Sequence, residues 1–439
     1  MTKVFFKQPI VIIVFLSFAI SMAYSFYFQI TPLVDARAYD RIAWHIAQGL
    51  GYREELNTDF LHDNSIIRVG PGYEFFLAAI YWIFGHRIWI MWVLHALLLA
   101  CSAYLAFSVS NQVFGERNTN IGVVAAALVG LSPDLITMSA MLMTEVLAVF
   151  LTLLSTYLLF RYVDSPKTSA IILFGVVGAV AILVRTPLLF LLIPVFGFLF
   201  LHKRWGHAML LVIVVVLLFA PWTLRNYKAF GVFLPTNAAS GVNMLAGNHE
   251  GASGEQEPYE VLVRYAREYD YIDANKRANS DARVFIFQHP FEYVTLTLKR
   301  ISIYFSFARP TGFWFHLHGF SKLTTLLLSA LYSIMLFVFG FWGAWGAWKA
   351  SNENRTKIRL LLAMLIMMPL AIVGIIVETR YRFLSYPFFA IFAAYGAHAL
   401  LARRLRLTPI AVISALLFAN TAFDILRNLD RILERLHGL

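Results

Sequence analysis

Long apolar stretches recur along almost the whole chain, and they dictate what it can become. They run over Pro9–Ile30, Ile88–Ser110, Asn120–Ser132, Glu145–Phe160, Ala170–Val184, Pro187–Leu201, His207–Trp222, Leu323–Trp348, Ile358–Val377, Phe383–Leu401 and Pro409–Phe423. A helical span needs about 20 apolar residues, so the pattern predicts an all-α polytopic membrane protein with about eleven transmembrane helices. Only 14% of the 439 residues are charged, against roughly 25% in soluble domains. The net charge of +11 is read as loop lysines and arginines facing the cytoplasm and anionic lipid, with no nucleic-acid partner. Cys101 is the single cysteine, which excludes an intrachain disulfide and a cysteine-based metal site.

Loop charges set the expected orientation. Lys3 and Lys7 place the start of the chain in the cytoplasm, and the first apolar run reads as a retained helix. Cytoplasmic turns then carry Arg117, Arg161 with Lys167, Lys203 with Arg204, Lys349 to Arg359, and Arg403, Arg404 and Arg406. Four regions follow: residues 1–224, a transmembrane module whose first external loop is 31–87; an external region over 225–320; further transmembrane helices over 321–424; and a tail over 425–439. In that tail Ile425, Leu426, Leu429, Ile432, Leu433 and Leu436 form one apolar face, as an interfacial anchor helix would. Helical spacing predicts a surface helix after Asp35 and another over Pro258–Gln288, broken by His289-Pro290. Gly70-Pro71-Gly72 reads as a turn leading into a half-length apolar helix over Tyr73–Phe84.

With this topology Asp35, Arg37, Asp40, Arg68, Glu145, Arg185, Arg225, Glu378, Arg380 and Arg382 gather on the external face. Charges at the ends of spans are costly unless paired, snorkelling or functional. Taken singly, Glu145 suits a helix N-terminus, Arg185 a simple turn, and Arg380-Tyr381-Arg382 an interfacial anchor. The last of these also suits a phosphate head group, because the guanidinium fork matches phosphate oxygens. Asp35 fits either the N-cap of the surface helix or a general base that takes the proton of an attacking hydroxyl. The two roles are compatible, and the pattern does not separate them. His45, His62 and His249 are scattered, so no obligatory cofactor is expected and a divalent metal is not indicated.

The ordered set Asp35, Arg68 to Tyr73, Thr144-Glu145-Val146-Leu147, Pro221-Trp222-Thr223-Leu224-Arg225-Asn226-Tyr227 and Arg380-Tyr381-Arg382 resembles the GT-C superfamily of integral-membrane glycosyltransferases. Within it, the set is closest in pattern to the branch with protein O-mannosyltransferases and the aminoarabinose transferases that modify lipid A. Two departures stand out: Ala36 follows Asp35 where many relatives carry a second acid, and Gly70-Pro71 replaces a Pro-Pro pair. The resemblance implies transfer of a sugar, with inversion, from a polyprenyl-phosphate donor such as an undecaprenyl-phosphate sugar. The acceptor would be a hydroxyl of a glycolipid, lipopolysaccharide, polysaccharide or protein, at the periplasmic face of a bacterial inner membrane. Asp35 would be the base, and Arg380, Arg382, Arg185 and Arg68 would hold the donor phosphate. Substrate-binding candidates are Arg37, Tyr39, Asp40, Tyr73, Glu145, Arg225, Asn226, Asn243, Asn248, Glu378 and Tyr381. A lipid or sugar transporter (a flippase) and a non-catalytic envelope scaffold are the rival readings.

Overall fold

The computed structural model describes residues 8–68, 70–115, 118–308, 314–350, 354–402 and 407–429. Lys3, Lys7, Val69, Arg117, Arg403, Arg404, Arg406, Ile432, Leu433 and Leu436 lie outside the described residues. Eighteen α-helices follow in order: α1 Gln8–Phe28, α2 Asp35–Ala47, α3 Pro71–Phe84, α4 Ile88–Phe114, α5 Thr119–Gly130, α6 Pro133–Ser139, α7 Glu145–Asp164, α8 Thr168–Val184 and α9 Leu192–Leu201. The second half holds α10 Trp205–Phe230, α11 Ser240–Gly247, α12 Glu260–Glu268, α13 Tyr271–Gln288, α14 Pro290–Tyr304, α15 Gly319–Lys349, α16 Arg355–Val373, α17 Tyr386–Leu401 and α18 Leu407–Arg427. Among the described residues the only strand pairing is an isolated bridge between Glu255 and Val377.

The chain is a multi-pass membrane protein. Among the described residues eight helices are long and apolar enough to cross: α1, α4, α7, α10, α15, α16, α17 with its preceding turn, and α18. The sequence count of about eleven is higher because three predicted spans are shorter or bent. The stretch at Asn120 forms α5, which Pro133 separates from α6 with a 50° bend. Residues 168–201 form two short pieces, because Arg185 ends α8 and Pro187 starts a 3-10 turn over Thr186–Leu191 before α9. The helix expected over Pro258–Gln288 is also split, at Tyr269, and the Asp270 side chain caps the new start by accepting from the backbone of Ile272 and Asp273. At the other end, α18 runs on to Arg427 and takes up Ile425 and Leu426 of the predicted tail.

Two glycine contacts determine how closely these helices approach. Where α15 crosses α17, a Cβ on Gly343 would sit 1.9 Å from the Phe392 carbonyl oxygen, so the backbones meet as small residues permit in membranes. At the start of α3, a Cβ on Gly70 would lie 2.4 Å from the Leu183 oxygen, and one on Gly72 2.7 Å from the Val184 nitrogen. The Gly-Pro-Gly element is therefore more than a turn. It seats α3 directly on the end of α8, next to Arg185.

The Gly343 crossing yields a test. Gly343→Ala forces a methyl into a backbone carbonyl, and overpacking of this kind costs about 1–3 kcal/mol. Purified Gly343→Ala protein is expected to melt several degrees below wild type, and an unchanged melting temperature would contradict the close crossing.

Candidate active site

Asp35 is the first residue of α2, not its cap. The preceding Val34 has φ 50° and ψ −119°, and no side chain caps the helix. A β-branched residue rarely adopts positive φ, and such strain costs of order 1–3 kcal/mol. The carboxylate is thereby turned to other partners. Its Oδ2 lies 3.0 Å from Arg380 Nη2 and its Oδ1 3.6 Å from Arg68 Nη1.

Both arginines have further anchors. Arg68 donates from Nε and Nη2 to the two oxygens of Glu54, at 2.8 and 2.7 Å, the bidentate geometry that fixes a guanidinium most firmly. Arg380 Nε donates to Glu378 at 2.6 Å. The result is a chain of alternating charge, Glu54–Arg68–Asp35–Arg380–Glu378. It joins the first loop to the 3-10 segment Thr379–Ser385 that precedes α17. Burial works against the charge on Arg68, but Glu54 and Asp35 outweigh it, and its pKa is raised.

A second pair stands beside this chain. Arg185 Nη1 donates to Glu145 at 2.8 Å and to Thr144 Oγ1 at 2.9 Å, and both charged side chains are almost fully buried. The Arg185 and Arg380 guanidiniums lie over the same ring, Tyr381, at 5.4 and 5.5 Å from its centre. Seven sequence candidates, Asp35, Arg68, Glu145, Arg185, Glu378, Arg380 and Tyr381, thus share one cluster.

Other candidates are placed differently. Arg382 is fully buried and points inward, donating to the Ser306 carbonyl at 2.8 Å and Ser333 Oγ at 3.3 Å. The alternation along a tight 3-10 turn accounts for this separation from Arg380. Asn226 and Asn248 are also buried, and their amides donate to the carbonyls of Leu234 and of Met244 and Ile375. Arg225 lies over the rings of Phe60, Trp222, Phe230 and Tyr52. Asp40 accepts from Tyr81 at 2.6 Å and lies 2.8 Å from His86 Nε2. Tyr73 Oη is 3.2 Å from His95 Nε2, Tyr39 packs edge-on against Tyr73, and Arg37 is exposed. Burial, then the charge of Asp35, pushes the Tyr39 phenol well above its ordinary pKa.

Two cavities adjoin the cluster. One, of about 240 Å³, is lined by the polar side chains of Arg185, Tyr381, Asn243 and Asn237 together with the apolar Phe190, Leu189, Ile372 and Ile376. The other, of about 220 Å³, has Ala36 on its wall, the residue after Asp35. Among the described residues no three His, Cys, Asp or Glu side chains come together to hold a metal ion. Around Asp35 the neighbours are cations, not the paired acids a divalent ion needs.

Residues 68–224 match the family model described as dolichyl-phosphate-mannose-protein mannosyltransferase. The structure superposes on the Archaeoglobus fulgidus oligosaccharyltransferase with a TM-score of 0.53 at 14% identity, covering 97% of this chain and 54% of that one. It superposes on ArnT from Cupriavidus metallidurans bound to undecaprenyl phosphate with a TM-score of 0.52 at 14% identity, covering 94% and 63%. For the archaeal oligosaccharyltransferase AglB from Archaeoglobus fulgidus, in complex with an inhibitory peptide and a dolichol-phosphate, the values are 0.51, 13%, 96% and 55%. The chain has the helical membrane fold of these oligosaccharyltransferase and ArnT structures. It spans just over half the length of the two archaeal structures and 63% of ArnT. A search of curated protein sequences finds no match.

The sequence reading missed Glu54 and Glu74. Glu54 sits in a polar loop among other acids, and only folding selects it as the partner of Arg68. Glu74, in the first turn of α3 and outside the candidate spans, is fully buried, with the Tyr52 hydroxyl as its nearest polar neighbour and no cation paired with it among the described residues. A charged residue directly after Gly-Pro-Gly-Tyr, inside an otherwise apolar helix, was the available signal. Burial raises its pKa from 4.5 to about 8.

The sign of the Glu74 effect follows. The folded state binds this proton more tightly than the unfolded chain, so the stability Glu74 contributes is fully present below pH 4.5 and is lost as pH rises through about 8. Glu74→Gln removes the titration. Melting temperatures of the two proteins in nanodiscs, compared from pH 5 to about pH 8.5, should show a steeper fall for wild type. Parallel curves would place the titrating group elsewhere.

Proposed function

We propose that this protein is a membrane glycosyltransferase that transfers a sugar from a polyprenyl-phosphate donor to an acceptor hydroxyl. The observation that carries the reading is the position of Asp35, bridging two arginines, with Ala36 beside it on the wall of one cavity and Tyr381, which lies under Arg380, lining the other. The family match over residues 68–224 supports it. So do the polyprenyl phosphates held by two similar structures, undecaprenyl phosphate in ArnT and a dolichol-phosphate in AglB.

The cavity lined by Arg185 suits the donor. Its apolar residues fit a prenyl chain, and its polar ones offer a guanidinium, the Tyr381 ring and the Asn243 amide to a phosphosugar. Asp35 takes the proton of the acceptor hydroxyl as the hydroxyl oxygen attacks the anomeric carbon. The bond from that carbon to the phosphate oxygen breaks, and its electron pair leaves with polyprenyl phosphate. A single displacement inverts the anomeric configuration. Arg380 and Arg185 stabilise the charge that develops on the departing phosphate. Arg382 acts at a distance by fixing the segment that carries Arg380. The reaction is placed at the external face of the membrane, in a bacterium at the periplasmic side of the inner membrane.

Asp35→Asn tests the base. Loss of a general base costs about a hundredfold or more in rate, whereas Asn retains the shape of the side chain. Cells lacking the protein, complemented with wild type or with Asp35→Asn at equal expression, are compared by mass spectrometry of their glycoconjugates. A sugar mass restored by wild type alone agrees with the mechanism. Full restoration by Asp35→Asn overturns it.

A further inference from the structure

A seam joins the external region to the end of α16, and one guanidinium closes it. Arg300, on α14, is fully buried. Its hydrogen bonds among the described residues all go to uncharged oxygens. Nη1 donates to the Val373 carbonyl at 3.2 Å, and Nη2 donates to the Gly247 carbonyl and, at 3.0 Å, to Asn248 Oδ1. Burial lowers its pKa to about 10, so it stays a cation at neutral pH. Burying a charge is costly unless good partners meet it, and here those partners come from two separate elements.

Both elements end where Arg300 reaches them. Gly247 is the last residue of α11 and Val373 the last of α16. The final carbonyls of a helix have no partner within it and carry partial negative charge, which suits a cation. Asn248 fastens the same two ends again, its Nδ2 donating to the Ile375 carbonyl at 3.2 Å. The backbones touch there, since a Cβ on Gly247 would lie 2.0 Å from the Ile375 oxygen.

The joined ends also line the cavity that contains Arg185. Ser240 and Asn243 come from α11, while Ile372, Ile375 and Ile376 come from the end of α16 and the residues after it. The segment that carries Ser240 and Asn243 is held at its other end too, where Asn237 Nδ2 donates to the Arg68 carbonyl. Arg300 itself is not among the lining residues. We propose that Arg300 is a positioning residue for the polyprenyl-phosphate donor, which by clasping the ends of α11 and α16 sets the separation of two walls of the donor cavity. This rests on the transferase reading and adds to it a residue that does not touch the substrate. Without the clasp, the walls must be ordered when the lipid binds, and that cost comes out of the affinity.

The test reads binding, not transfer. Native mass spectrometry of the full chain gives an apparent Kd for undecaprenyl phosphate and for undecaprenol, the neutral alcohol. Arg300→Met removes charge-assisted hydrogen bonds to both elements and should weaken undecaprenyl phosphate roughly tenfold to a hundredfold. Arg300→Lys keeps the charge but loses the planar fork, and should weaken it about threefold to tenfold. That variant carries the test if Arg300→Met does not fold. Gly247→Ala leaves Arg300 in place and wedges a methyl into the seam, so it should weaken binding as well. In each variant undecaprenol should weaken by the same factor, because the clasp acts on the walls and not on the phosphate. Lys357→Met removes another buried cation, paired with Asp164 near the start of α16, and should leave both Kd values unchanged. A general loss of stability would move all the variants alike.

Wild-type affinity in Arg300→Lys or in Gly247→Ala overturns the proposal. A loss confined to undecaprenyl phosphate also overturns it, because Arg300 would then be acting on the phosphate directly. Equal weakening in Lys357→Met does the same. If wild type binds neither lipid, the donor reading fails and the clasp fails with it. If wild type binds and the Arg300 variants bind equally well, the clasp fails alone and the donor reading stands.

Discussion

The Asp35 carboxylate, shared between Arg68 and Arg380, is the interaction on which the rest of the site depends. These residues lie in the loop after the first span, before α3 and before α17, and nothing in the backbone alone holds those segments together. Removing charges from water is costly, and the cost is recovered only when each charge keeps a well-placed partner. Glu54 and Glu378 complete that pairing at the two ends of the chain. The close backbone contact of Gly70 and Gly72 with the end of α8 brings the Arg185–Glu145 pair to the same place. Tyr381 then lies beneath both arginines as a common floor.

Much of this was legible in the sequence, for a physical reason. In a chain with so few charges, each one at the end of an apolar segment must be accounted for, so Asp35, Arg185, Glu145 and Arg380 stood out. Hydropathy located the apolar segments but not their breaks, because a proline or an early arginine shortens a helix without changing its apolar character. Side-chain direction was not legible. Arg380 and Arg382 are two residues apart, yet one reaches Asp35 and the other is sealed among Ser306 and Ser333. Asn226 and Asn248 stood among the substrate-binding candidates, but the amide of each donates to a backbone carbonyl. Glu54 could not be distinguished from Glu55 by type, only by its geometry to Arg68.

The charge balance has a consequence for how such a site works on the proposed reading. Four carboxylates, Glu54, Asp35, Glu378 and Glu145, face three guanidiniums, Arg68, Arg380 and Arg185. A phosphodiester entering beside them finds cations already engaged, so ground-state attraction is modest. Binding equally strong in the ground and transition states would not raise the rate in any case. The balance changes during the reaction itself. When Asp35 accepts the proton of the acceptor hydroxyl, the one carboxylate that joins Arg68 to Arg380 becomes neutral. Positive charge is uncovered at the moment the phosphate oxygen acquires negative charge. The guanidiniums need not move far, because Glu54 and Glu378 still hold them, and preorganised charge of this kind is the most effective form of electrostatic stabilisation. Proton transfer and leaving-group stabilisation are then coupled through a single side chain, which gives a physical reason for placing the base between the two arginines.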